Sequence, residues 1–304
     1  MKENKASMTS LLSAFGRAYH SKYGKPVMFD DFLAQDLISE KEHSDICDHL
    51  IQGISFFSKD MAQELQDKPD DILKWVIQVQ LSPTPLARAA YCEKVLLNEM
   101  RLGVKQYVIL GAGLDTFCFR HPEVSNGLDI FEIDHYASQE DKINRLKRLD
   151  FDIPSHLHFV PMDFAASLSF SRLYQEGFSR QKTFFSLLGV SYYLTKKHLA
   201  RLLTQLFDQV PPGSSIVFDY ADQSLFEKKG LSNRVENMVK MAATSGEPML
   251  SCFSYEEIEK VLESSGLLIY EHLSPAAVNE RFFSGRTDHL TAFETIHFIH
   301  AVKK

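Results

Sequence analysis

The chain has 304 residues, 44% hydrophobic and 24% charged, the balance of an ordinary globular protein and enough for one large α/β domain or a core with an accessory piece. A formal net charge of −7 argues against an electrostatic nucleic-acid binder, which carries a basic face. Cys47, Cys92, Cys118 and Cys252 form no C-x-x-C pair, the N-terminus has no signal-peptide run, and no stretch reaches the ~18 apolar residues of a membrane span; a reducing cytoplasm is the expected compartment, with neither nucleic acid nor membrane as partner.

Residues 1–100 read as a helical N-terminal extension, with "SDICDHLIQGISFF" and "ILKWVIQVQL" as apolar segments and "LSPTP" as a break. His43, Cys47 and His49 lie close in sequence, but no further ligands converge on them and no metal is expected. From residue 101 the pattern alternates strand and helix. "QYVIL" is a buried strand that ends in glycines, and "DIFEID" is a second that ends in acid. "ASQEDKINRLKRL" is helical: Ser138 is the expected cap with Asp141 behind it, Ile143, Leu146 and Leu149 share the inward face, and Arg145, Lys147 and Arg148 form a solvated one. "LHFVPMDF" gives a third strand. "TFFSLLGVSYYL" gives a fourth, in which Phe184 and Phe185 must face opposite ways. A helix from Thr195 closes at "PPG", and "SSIVFDY" is the fifth strand.

Residues 222–250 form an insertion. In "SYEEIEKVLESSG" Ser254 and Glu257 make a capping box, Ile258, Val261 and Leu262 face inward, and Gly266 fits the C-terminal end. "LLIYEHL", a polar loop and "AFETIHFIHAV" complete the chain as an antiparallel pair at one edge. The repeated strand–helix units predict a doubly wound, mainly parallel α/β sheet.

Chemistry concentrates at strand ends, where open α/β sheets bind ligands. Gly111 and Gly113 follow the first strand and allow close backbone approach. A dinucleotide site would place a third glycine where Thr116 stands, because pyrophosphate needs the helix N-terminus and tight helix–strand packing. S-adenosyl-L-methionine has no pyrophosphate and no such need. The second strand supplies Glu132 and Asp134, the latter at the spacing of a ribose-binding acid. Asp163 is placed to accept from an adenine amine, with Phe164 against the ring. An NAD(P)-dependent oxidoreductase and a catalytically silent nucleoside binder are the alternatives. The first is opposed by Thr116 and by the lack of a Tyr-x-x-x-Lys pattern.

"VILGAGLDTFCFR", "FEIDH", "FVPMDF", "GVSYYLT" and the upstream "ARAAY" together resemble the leucine carboxyl methyltransferase family, in particular its bacterial branch with polyketide carboxyl methyltransferases of the tetracenomycin-pathway type. That resemblance implies S-adenosyl-L-methionine as cofactor and a class I methyltransferase (Rossmann-like) seven-stranded sheet with an antiparallel last strand. It also implies O-methylation, usually of a carboxylate. By motif, Gly111 and Gly113 would line the methionine moiety, Asp134 would bind ribose, and Asp163 and Phe164 would flank adenine. Arg88 would pair with the cofactor carboxylate, a job suited to its planar fork. Asp115 would either cap the helix after the glycine loop or reach the cofactor amine. Leu188 departs from the family pattern, which has Glu before this Gly-Val. Tyr193 keeps the family's aromatic position and is the expected acceptor-positioning residue.

A carboxylate acceptor is ionised at neutral pH and needs no general base, whereas a phenol would. Alignment and water exclusion are then the protein's tasks. The N-terminal helices and the insertion at 222–250 are the expected lid over the core of residues 101–304. The partner is a small-molecule carboxylate, with a protein C-terminus as the other acceptor the family allows.

Overall fold

The computed structural model describes residues 7–164 and 168–304; the first six positions of the expected helical extension lie outside them. Strands β1 (Gln106–Leu110), β2 (Asp129–Asp134), β3 (Leu157–Pro161), β4 (Thr183–Leu187), β5 (Ser215–Ala221), β6 (Leu267–Leu273) and β7 (Ile296–Lys303) form one sheet, ordered β3-β2-β1-β4-β5-β7-β6. β7 runs antiparallel to both β5 and β6, and the other pairings are parallel. The expected seven-stranded class I architecture is therefore present. Strand order reverses between β1 and β4, which opens the crevice at their carboxyl ends.

Alternation builds two core layers. Tyr107, Ile109 and Phe184 face the layer that includes the helix Pro83–Arg101, while Val108, Leu110 and Phe185 face the layer under the helix Lys196–Phe207. Both phenylalanines of the β4 doublet are thus core, one on each side. A third cluster joins Phe15, Trp75 and Val76 of the N-terminal region to Leu114 and Leu146 of the sheet domain. The Ser254–Glu257 capping box forms as read, and its helix buries Ile258 and Leu262.

Two local readings need correction. The helix Tyr136–Arg148 begins after His135, which makes no side-chain cap, and Ser138 lies buried within it. Its inward face is Gln139, Lys142, Arg145 and Leu146, while Leu149 is 41% exposed. Arg145, expected in solvent, is only 6% exposed. It donates to Glu42 Oε1 (2.6 Å) and to the Leu37 carbonyl (2.7 Å), so the N-terminal region turns a solvated face into an interface. Hydrogen bonds from Arg145 hold the Glu42 carboxyl down at about 2. The second correction concerns the segment between β6 and β7. It contains a helix, Pro275–Phe282, capped by Ser274 with proline at its first turn. With one buried residue, Val278, it leaves almost no periodic signal. Among the described residues no helix is long and apolar enough to cross a membrane.

The N-terminal region also carries an acid-sensitive joint. His20 is buried, and its Nε2 accepts the Met28 N–H at 2.9 Å, which requires an unprotonated nitrogen. Burial, then the charge of Arg286, lowers its pKa to about 4. A lowered folded-state pKa stabilises the fold above the ordinary histidine value and loses that contribution as pH falls through the folded value. The stability gap between wild type and His20→Phe, measured by urea unfolding, is therefore expected to narrow between pH 7 and 4. A constant gap would remove His20 as the cause.

Candidate active site

Every candidate site residue read from the sequence borders one cavity of about 720 Å³ at the carboxyl end of β1 and β4: Arg88, Gly111, Gly113, Asp115, Asp134, Asp163, Phe164 and Tyr193. Gly111 (φ +75°) and Gly113 (φ +51°) take left-handed conformations. A Cβ on Gly111 would collide with the Val190 side chain, and one on Gly113 with Ser10 Oγ. The first helix, Met8–Tyr23, thus lies directly on the glycine loop. Its Ser10 Oγ accepts the Leu114 N–H (3.0 Å), and its Arg17 Nη2 donates to the Leu114 carbonyl (2.8 Å).

Thr116 now has a physical role. Its hydroxyl donates to Asp31 Oδ1 (2.6 Å) and accepts from Arg120 Nε (2.8 Å), while Arg17 Nε binds Asp31 Oδ2 (2.8 Å). Where a dinucleotide site needs a bare backbone, this chain bolts its N-terminal region to the loop. Burial pushes the Asp31 carboxyl up, but Arg17, Arg120 and Thr116 outweigh it and hold the group below its ordinary range. Ser10, Arg17 and Asp31 were invisible in the sequence because they act across more than 80 residues of separation.

Asp134 ends β2 with Oδ2 accepting from Gly113 N and Oδ1 from His135 N, each at 2.6 Å. Burial raises its pKa, with the two backbone N–H groups opposing. Each oxygen keeps a lone pair for a further donor. Glu132, the other acid of "FEID", is not on the cavity. It is buried against Lys142 Nζ (2.5 Å), which also donates to the Asp115 carbonyl (2.7 Å). Asp115 Oδ1 accepts the Phe117 N–H at 2.9 Å, one residue ahead of Thr116, the N-cap position of the short helix Phe117–Arg120. Asp115 still borders the cavity. Asp163 is exposed, and Phe164 is half-buried beside Gly111.

Arg88 rises from the helix Pro83–Arg101 onto the backbone of Gly189 (φ +73°), where a Cβ would occupy the guanidinium's place. Its Nη1 donates to Tyr192 Oη (3.1 Å) and Asp219 Oδ2 (3.2 Å). Asp219 Oδ1 accepts the Gly189 N–H at 2.6 Å. Sequence reasoning missed Asp219; the only available signal was an acid near the end of an apolar strand, "SSIVFDY". Leu188 lies beside this platform on the cavity wall and brings no charge.

The outer wall comes from both expected lid segments. Leu12 of the first helix and Met238, Met241 and Ala242 of the helix Arg234–Thr244 all line the cavity. Glu247, after that helix, accepts from Thr9 Oγ1 and from Ser7 Oγ (3.2 Å) at the start of the first helix. Tyr193 stands here, its phenol pushed up to about 12 by burial and then by the charge of Glu247.

These residues fit S-adenosyl-L-methionine. The glycine cradle admits a backbone contact that a Cβ would fill, and Arg88 keeps Nη2 and Nε for a carboxylate because its hydrogen bonds among the described residues use Nη1. His135 Nδ1, on the same wall, is buried without a hydrogen-bond partner among the described residues.

Comparison with known proteins agrees. The sequence model described as leucine carboxyl methyltransferase matches residues 10–207. YktD of Bacillus subtilis (strain 168), assigned as an S-adenosyl-L-methionine-dependent methyltransferase, is 67% identical over 304 residues, all of both chains. Rv3787c of Mycobacterium tuberculosis (strain H37Rv), assigned the same activity, is 27% identical over 241 residues, covering 77% of this chain and 71% of the relative. A solved structure from Thermobifida fusca YX, described as a methyltransferase, superposes with a TM-score of 0.55 at 14% identity, covering 100% of this chain and 97% of the other, and shares the fold. The dinucleotide reading is set aside: the chain is an S-adenosyl-L-methionine-dependent methyltransferase and belongs to the leucine carboxyl methyltransferase family.

Proposed function

We propose that this enzyme esterifies a carboxylate of a small apolar acid. The observation that carries the reading is the chemistry of the outer wall. Leu12, Met238, Met241 and Ala242 are apolar; of the titratable groups that line the same cavity, Glu247 is already engaged by Thr9 and Ser7, and the phenol of Tyr193 is raised to about 12. Neither of these two groups is suited to take a proton from a phenol or an ammonium, and His135, the histidine on the cavity, stands beside Asp134 at the end of β2. A carboxylate is already ionised and asks for none. Of the arginines on the cavity, Arg17 and Arg120 face Asp31, and Arg88 is taken by the cofactor's own carboxylate in this reading, so none is left to neutralise the nucleophile.

The cofactor supplies an electrophilic methyl on a sulfonium, and the chain supplies placement. Gly111 and Gly113 let the loop backbone approach the methionine portion. Arg88 receives its carboxylate, and Asp115 its ammonium. Asp134 accepts from the ribose hydroxyls, while Asp163 and Phe164 hold adenine. Tyr193 orients the acceptor in line with the methyl. The first helix and the 222–250 insertion act as the lid on the core of residues 101–304 and keep water out, with Glu247 and Thr9 joining the two parts.

The test is incubation with S-adenosyl-L-methionine and a panel of aliphatic and aromatic acids, phenols and amines, followed by mass spectrometry before and after mild alkali. The expected product gains one methyl from an acid and loses it in alkali, as an ester does. Alkali-stable products from phenols or amines alone would overturn the carboxylate assignment.

A further inference from the structure

We propose that Asp219 and Tyr192 are positioning residues that set the plane of Arg88 for the cofactor's methionine carboxylate. Asp219 lies in β5, fully buried, and is not on the cavity. A buried carboxylate persists only where its partners repay its desolvation. Its partners all point to one task. Oδ2 faces Arg88 Nη1 at 3.2 Å and Tyr192 Oη at 3.5 Å, and Oδ1 fixes the Gly189 N–H at 2.6 Å. Tyr192 Oη in turn accepts from the same Nη1 at 3.1 Å.

The guanidinium is therefore held at one corner by two acceptors and from below by the Gly189 backbone. Three constraints fix a plane. With Nη1 occupied, the Nη2–Nε edge is the one left to present to a ligand, and that edge is the geometry a carboxylate binds bidentately. Leu188, next to Gly189, supplies no charge, so the counter-ion to Arg88 comes from β5 and not from the loop. One effect works the other way: Asp219 repels an incoming carboxylate, so its removal alone would tighten binding. Orientation prevails in this proposal because an unheld guanidinium loses both bonds of the fork.

The inference rests on the reading of Arg88 as the methionine-carboxylate site, and the experiment separates the two. S-adenosylhomocysteine carries the amino-acid end, whereas 5′-methylthioadenosine shares the nucleoside and lacks it. Calorimetry with both ligands is compared for wild type, Asp219→Asn, Tyr192→Phe and Arg88→Ala. Asp219→Asn should weaken S-adenosylhomocysteine about tenfold and leave methylthioadenosine within about twofold. Tyr192→Phe, which changes no charge, should do the same to a smaller degree, and it decides the matter alone if Asp219→Asn does not fold. Equal losses for both ligands would make the pair a structural staple of the β4–β5 loop. Unchanged or tighter S-adenosylhomocysteine binding in either variant would also overturn the proposal. Should Arg88→Ala itself bind both ligands as wild type does, the underlying reading of Arg88 fails, whatever the other variants show.

Discussion

Arg88→Ala is expected to raise the dissociation constant for S-adenosylhomocysteine by about 10- to 100-fold, the worth of a charge-assisted hydrogen-bonded pair. The same substitution removes the counter-ion of Asp219, which is fully buried. Breaking a buried pair by deleting one partner costs about 3–5 kcal/mol of stability. Both losses must therefore be read together: urea unfolding gives the second, and calorimetry well below the midpoint gives the first. Arg88→Lys separates charge from shape. It keeps the cation near Asp219 but loses the fork, so stability should recover more than ligand affinity does. If affinity for S-adenosylhomocysteine survives in folded Arg88→Ala while acceptor turnover falls, the arginine belongs to the acceptor and not to the cofactor.

A stability effect of similar size is expected at the Glu132–Lys142 pair. Both side chains are 1% exposed and meet at 2.5 Å. Lys142→Met leaves the carboxyl and the Asp115 carbonyl without their donor, a loss of about 3–5 kcal/mol. The double variant Lys142→Met/Glu132→Leu should regain most of it, because well-packed apolar residues can replace a buried pair at little cost. The pH dependence has a definite sign. Burial raises the Glu132 carboxyl to about 7 even with Lys142 opposing. A carboxyl with a raised folded-state pKa favours the fold in its protonated form, so its penalty grows as pH rises through the window from about 4.5 to 7. Without Lys142 the pKa rises further. The deficit of Lys142→Met should therefore be larger at pH 8 than at pH 5.5. A deficit of equal size at both would show that packing, and not charge, dominates this position.

Much of the architecture was legible because it rests on local pattern. β1 to β5 are runs rich in branched and aromatic residues, β1 running into glycine and β2 ending in acid, and the Ser254–Glu257 box announces its helix from four letters. What was not legible depends on distant partners. Arg145 reads as a solvated residue until Glu42, about a hundred residues earlier, lands on it. Thr116 reads only as a missing glycine until Asp31 and Arg17 arrive from the N-terminal region. The helix Pro275–Phe282 hid because one buried residue in eight gives no period. The site followed the same division. Gly111, Gly113, Asp134 and Asp163 sit at strand ends in predictable register, whereas the platform under Arg88 draws on Asp219 of β5, which no motif marks, and on Tyr192, whose place in "GVSYYLT" does not reveal its partner.

The site assignment is tested most directly by a crystal structure of the enzyme with S-adenosylhomocysteine. The predicted result places the ribose hydroxyls on Asp134, adenine between Asp163 and Phe164, and the amino-acid carboxylate on the Nη2–Nε edge of Arg88, with Nη1 still on Asp219. A ligand whose amino-acid end points away from Arg88, or whose ribose makes no contact with Asp134, would contradict it.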